Sequence, residues 1–264
     1  MGVRMLKLAS AGVAAATVLV ASLLASCSPQ ESATSEPVAA APQHPDFSGL
    51  WFPAGRQQMP QQPVYTPAAQ EALAAYQAAF TLDDDPGRYC IWPGMPRAVW
   101  GAPFTVEIQQ RPQDISIYWE GYGMYRKIYM ADHSPPEPML PSAMGHSVAH
   151  WEGDVLVIET TSLKQYPYMT RQATSSDAQL VERMRIEERD VDGQKVKHIV
   201  NELVLNDPKV YTTPIEITAT LRHRPDLQLL EYTCTDALWD EYLSERGLTL
   251  PDVDSFPDPS AAAQ

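Results

Sequence analysis

The sequence predicts a mainly β fold: an antiparallel, up-and-down, lipocalin-like barrel or a strongly curved sheet, with one helix near the N-terminus. Three observations carry this. From Phe104 onward, apolar and polar residues alternate with period two, as in strands buried on one face. The alternating runs are short and are joined mostly by tight turn sequences, so neighbours in the chain become neighbours in the sheet. Ahead of them stands one strong helix start signal, Thr66-Pro67.

Taken in order, Pro45-Asp-Phe-Ser-Gly-Leu-Trp51 reads as a first short strand with aromatic anchors, and Gln57 to Pro63 as loop. Thr66 at the N-cap and Pro67 at N1 open a helix from Ala68 to about Phe80, with Leu73, Tyr76 and Phe80 on one face. Asp83 to Gly87 ends it in a turn. Strands follow at Phe104–Gln110, Ile115–Glu120 and Met124–Tyr129, then a Pro-rich loop from His133 to Ser142. His146–Trp151 and Val155–Thr160 flank Glu152-Gly153-Asp154, the clearest hairpin in the chain. Leu180–Arg189 and Val196–Leu205 flank Asp192-Gly193, a second hairpin turn. Pro214–His223 and Leu227–Cys234 form the last expected pair, and the tail from Asp236 adds a short helix through Tyr242 and Leu243. About nine strands in a meander favour a curved sheet or a closed barrel.

The first 27 residues read as a secretory leader. Arg4 and Lys7 precede an apolar run from Leu8 to Leu24, and Leu24-Ala25-Ser26-Cys27 closes it as a lipobox, with Cys27 the lipidated residue. Two or more acyl chains hold a protein stably on a membrane. Ser28, rather than Asp, after the cysteine directs the expectation to the outer membrane, facing the periplasm. The expected organisation is a signal peptide over 1–26, a flexible tether over 27–44, one β-rich domain over 45–240 and a C-terminal tail over 241–264.

Losing Arg4 and Lys7 would take the net charge from −14 to −16, which repels phosphate backbones and excludes nucleic acid as a natural partner. The same charge leaves membrane attachment to the acyl chains. With Cys27 lipidated, Cys90 and Cys234 remain as an even pair in an oxidising compartment, and a disulfide between them is expected. Closing so long a loop is worth about 5 kcal/mol on the chain-entropy argument. The alternative is two buried free thiols.

Five blocks carry a resemblance: Cys90-Ile-Trp-Pro-Gly-Met-Pro-Arg97, Gly145-His-Ser-Val-Ala-His-Trp-Glu-Gly-Asp-Val-Leu-Val-Ile-Glu-Thr160, Val181-Glu-Arg183, Asp207-Pro-Lys-Val-Tyr-Thr-Thr-Pro214 and Glu231-Tyr-Thr-Cys234. In that order they resemble a family of largely uncharacterised secreted bacterial proteins, many of them from proteobacteria and acidobacteria, over about Asp46 to Cys234. The resemblance implies that Cys90 and Cys234 belong to the family pattern, which supports the disulfide. The chain departs from the pattern at Ala149-His150, where the family often has Gly-Arg, and at Thr235-Asp236-Ala237 after the last cysteine. The resemblance brings no established reaction with it.

Function is therefore argued from side-chain chemistry. Gly145-His146-Ser147 lacks the G-x-S-x-G pattern and strand-turn-helix context of a nucleophile elbow. His146 and His150 lie on one face of a strand about 13 Å apart, too far for one metal, so neither a metal nor a cofactor is expected. Trp151-Glu152-Gly153-Asp154 reads as turn chemistry with a packing Trp. Glu107, Glu120, Glu159, Glu182, Glu202 and Arg126 interrupt apolar strands. On an open sheet they form a solvated face. In a closed barrel one set points inward and needs partners, such as Arg126 or Arg183 with a Glu. A strand carboxyl beside His146 would then make an acid/base pair. Tyr118, Trp119, Tyr122, Tyr125 and Tyr129 cluster over two strands, by cross-strand packing or as the wall of an apolar site.

The leading expectation is a lipid-anchored protein that binds a small, mainly apolar ligand in the barrel. Tyr118, Tyr125, Arg126 and Trp151 would line the site beside Glu120 and His146. The alternatives are a cofactor-independent acid/base enzyme using His146 and Glu120, and a structural envelope lipoprotein.

Overall fold

A computed structural model describes residues 44–55, 62–81, 86–91, 94–100, 103–133, 140–165 and 173–248. The expected leader, Cys27, the tether up to residue 43, the loop over 57–61, the turn residues 83–85 and the tail beyond 248 lie outside the described residues.

The fold is mainly β. Nine strands close into one barrel: β1 (Gly49–Pro53), β2 (Val106–Gln110), β3 (Asp114–Trp119), β4 (Met124–Met130), β5 (His146–Glu152), β6 (Val155–Thr161), β7 (Gln179–Val191), β8 (Gln194–Asn206) and β9 (Ile215–His223), with β9 paired back to β1. Every neighbouring pair is antiparallel except β4 and β5, which run parallel. A ring with an odd number of strands cannot alternate direction all the way round, so one parallel pair is obligatory. Such a pair needs a return crossing, and residues 131–145 separate β4 from β5 in the chain.

Helix α1 (Pro67–Ala79) starts as expected, with the Thr66 hydroxyl accepting the Ala69 N–H at 3.2 Å. Only Ala69 is buried in it. Phe80, expected on the packed face, is exposed and stacks on Tyr76. Helix α2 (Arg97–Trp100), a single turn, was not foreseen. Its position depends on Gly94, whose φ is +66° and where a Cβ would sit 2.3 Å from the Ala143 carbonyl oxygen. Helix α3 (Cys234–Glu245) is the expected tail helix, and it runs through the boundary expected at residue 240. Cys90 and Cys234 form the disulfide, joining α3 to the segment that leads into α2.

The β7–β8 hairpin turns at Asp192-Gly193, both with positive φ, as a type I′ turn requires. Leu227–Cys234 does not pair as a strand. Barrel closure explains this: β9 already has β8 on one side and β1 on the other, so no edge remains for a tenth strand. Apolar residues from all nine strands, with Phe47 and α2's Ala98, fill the lumen.

Candidate functional site

Period two sets the inward phase of each strand. On β4 it selects Met124, Arg126, Ile128 and Met130; on β7, Leu180, Glu182 and Met184; on β8, Ile199, Asn201, Leu203 and Leu205. Two ionised groups therefore stand among aliphatic neighbours. Arg126 is 1% exposed and Glu182 0%. The cost of burying them is offset by their mutual pairing and by hydrogen bonds from Arg126 Nε and Nη2 and to both carboxylate oxygens of Glu182. The Arg126 guanidinium donates to the Glu182 carboxylate through Nη2. Its Nε donates to Ser147 Oγ at 3.1 Å, and Nη2 also reaches Thr160 Oγ1 at 2.8 Å. Ser147 and Thr160 share a bond of 2.9 Å, and Asn201 Nδ2 donates to Glu182 Oε1 at 2.8 Å. The result is a buried polar belt across five adjacent strands, β4 to β8. The facing wall, from β9 through β1 to β3, presents residues such as Ile108, Ile117, Trp119, Ala219 and Leu221.

Two atoms of this belt have no hydrogen-bond partner: Arg126 Nη1, a donor, and Asn201 Oδ1, an acceptor. The carboxylate on Nδ2 fixes the orientation of the Asn201 amide, since only its NH₂ can donate to Glu182. Arg126, Glu182 and Asn201 line one cavity together with apolar residues of the facing wall, and Val99 of α2 also borders it. The space open to a water's centre is about 20 Å³, enough for a single water. Drug-sized ligands occupy roughly 300–1,000 Å³. The hollow lumen expected from sequence is thus present only in miniature.

The other expected site residues are scattered. Tyr118 and Tyr125 are cross-strand partners on the outer face, with rings 4.9 Å apart. His146 is also outside, its ring stacked near Tyr129 at 6.1 Å, with Nδ1 buried and unpartnered. Tyr129 lies opposite Asp114 at the start of β3, whereas Glu120 follows the end of β3, where its carboxylate accepts the Leu230 N–H at 3.2 Å. One strand length, about 20 Å, therefore separates His146 from Glu120. They do not form one acid/base pair. Trp151 lies on the inward phase of β5, sandwiched against His44 at 4.4 Å and Phe47 at 5.8 Å. Arg126 alone of the six stands in the belt. Glu159 and Glu202 face solvent, and Arg183 pairs outside with Glu152 at 2.7 Å.

Sequence reasoning missed Ser147, Thr160 and Asn201. Their signal was available: each is a small polar residue on the same phase as buried aliphatics, as Thr160 follows Leu156 and Ile158. Among the described residues, no three His, Cys, Asp or Glu side chains gather as metal ligands, and no helix is long and apolar enough to cross a membrane. Compared with models of protein families, with curated proteins and with solved structures, the chain matches none.

Proposed function

We propose that this is a lipid-anchored, periplasm-facing protein that binds a small, mainly apolar ligand inside the barrel, with one hydroxyl of the ligand on the polar belt. The observation that carries the reading is the unpartnered donor Arg126 Nη1 and acceptor Asn201 Oδ1 on one otherwise apolar cavity. A hydroxyl accepts from the first and donates to the second. A carboxylate fits less well, because Glu182 already neutralises Arg126 and a second anion would be buried unpaired. Binding requires the lumen to enlarge, and Val99 on the single-turn helix α2 is the lining residue outside the strands whose displacement would do so.

The test is thermal unfolding of the full chain with a long-chain alcohol, a sterol and the matching fatty acid. The alcohol or sterol raises Tm in a concentration-dependent way, and the fatty acid does so less. Asn201→Leu weakens binding about tenfold, the worth of roughly one hydrogen bond. Val99→Trp, which fills the entrance, weakens it further. Stabilisation by none of the three compounds would sink the proposal.

The tight filling of the lumen favours a second reading, a structural envelope lipoprotein. That reading expects no Tm response and an envelope protein that co-purifies with the chain.

A further inference from the structure

A second site lies on the outside of the barrel, where β1, β9 and β8 run side by side. Arg222 on β9 stands directly opposite Phe52 on β1 and His198 on β8. These residues, with Pro53, Val191 and Arg224, border a cleft of about 310 Å³, at the lower bound of small-molecule sites. Arg222 Nε is buried and has no hydrogen-bond partner. Arg224 is held in place by a two-pronged pair with Asp226, at 2.8 and 2.7 Å. His198 is 5% exposed, and its Nδ1 lies 3.0 Å from the Val196 carbonyl. A carbonyl only accepts, so Nδ1 is the donor in this contact.

Among the described residues no carboxylate lines this cleft. In the adjoining groove Lys195 and Lys197 add two more cations, and the carboxylates there are Asp226, engaged by Arg224, and Glu188, opposite Lys197 across the β7–β8 pair. On a chain of net charge −14 this local excess of positive charge is a departure from the rest of the molecule. A guanidinium with an unsatisfied buried N–H is a fork for an oxyanion. Phe52, Pro53 and Val191 add an apolar wall beside it.

We infer that the cleft around Arg222 binds a small organic oxyanion, a phosphate or carboxylate head with a short apolar body. The inference is independent of the lumen proposal, since the cleft is on the other side of the barrel wall.

The experiment titrates the full chain with inorganic phosphate, butyl phosphate and butyrate. Binding is read by calorimetry and by the Nε–H resonance of Arg222. Saturable binding is expected, with butyl phosphate tighter than inorganic phosphate and the Arg222 resonance shifted. Arg222→Gln should weaken binding tenfold or more, and Arg222→Lys, which keeps the charge but loses the fork, should weaken it less. Arg183→Gln, a distant surface change, should leave it unaltered. Unchanged thermal unfolding of each variant separates lost binding from lost folding. Vesicles of phosphatidylethanolamine with and without phosphatidic acid distinguish the source of the head group: retention on the phosphatidic acid vesicles that Arg222→Gln abolishes supports the site with a lipid phosphate as its ligand. No saturable binding of any of these probes, or binding indifferent to Arg222→Gln, overturns the inference.

Discussion

Glu182 and Arg183 are consecutive residues on β7, and each is half of an ion pair, but the barrel wall separates them. Glu182 and its partner Arg126 are 0% and 1% exposed; Arg183 and its partner Glu152 are 44% and 49% exposed. The difference follows from strand geometry alone, because successive side chains point to opposite faces. Outside, water screens the pair and solvates either partner when the other is removed. Inside, each charge depends on the other and on Ser147, Thr160 and Asn201 for everything that water would have supplied. Two pairs of the same chemistry are therefore expected to respond very differently to the same change.

The largest effect tests this directly. Glu182→Ala leaves the Arg126 guanidinium buried without its counter-charge, and a loss of about 3–5 kcal/mol is expected in urea unfolding. Arg183→Ala, one residue along, should barely move the midpoint. Equal effects from the two variants would mean that the inner pair is not the coupled unit described. A sharper version replaces both inner charges together. Arg126→Met with Glu182→Leu exchanges the pair for apolar side chains, so most of the stability lost in Glu182→Ala should return. The same double variant removes one of the two proposed ligand contacts, so it should fold well and yet show a weakened Tm response to a long-chain alcohol. A fold restored together with an intact response would place the ligand elsewhere.

Much of this arrangement was legible in the sequence, and the parts that were not share a cause. Arg126 stands between Met124 and Ile128, and Glu182 between Leu180 and Met184, so the alternation itself marks both as sharing a phase with aliphatics. Their mutual pairing required closure, which was one of two expected outcomes. Asn201 and Thr160 were missed because small polar residues fit either face, and only the strand order brings them to Glu182 and Arg126. The failed strand at Leu227–Cys234 has the same origin: nothing local reports that β1 has taken the edge of β9. The pairing of His146 with Glu120 failed on register, since the two belong to opposite ends of β3 and β5, with β4 between those strands. The volume of the lumen depends on how side chains from nine strands interdigitate, which periodicity does not encode.

The smallest expected effect probes the outer surface with a single proton. Arg224 grips Asp226 with two hydrogen bonds, and its guanidinium holds the Asp226 pKa down at about 2, from an ordinary 3.8, with a lesser contribution from the charge of Arg222. A lowered folded-state pKa means that the unfolded chain binds more protons at acid pH, so the pair's contribution to stability is complete above about pH 4 and is lost as pH falls through about 2. Arg224→Gln should raise the Asp226 pKa toward 3.8, and Arg222→Gln should raise it by less, both read from the carboxyl carbon shift in an NMR titration. The pair is solvated, so either change should alter unfolding at neutral pH only slightly. A shift with Arg222→Gln as large as with Arg224→Gln would instead show Arg222 committed to Asp226, which would remove it as the anion-binding group of the outer cleft and bring the behaviour of that surface closer to that of the belt inside.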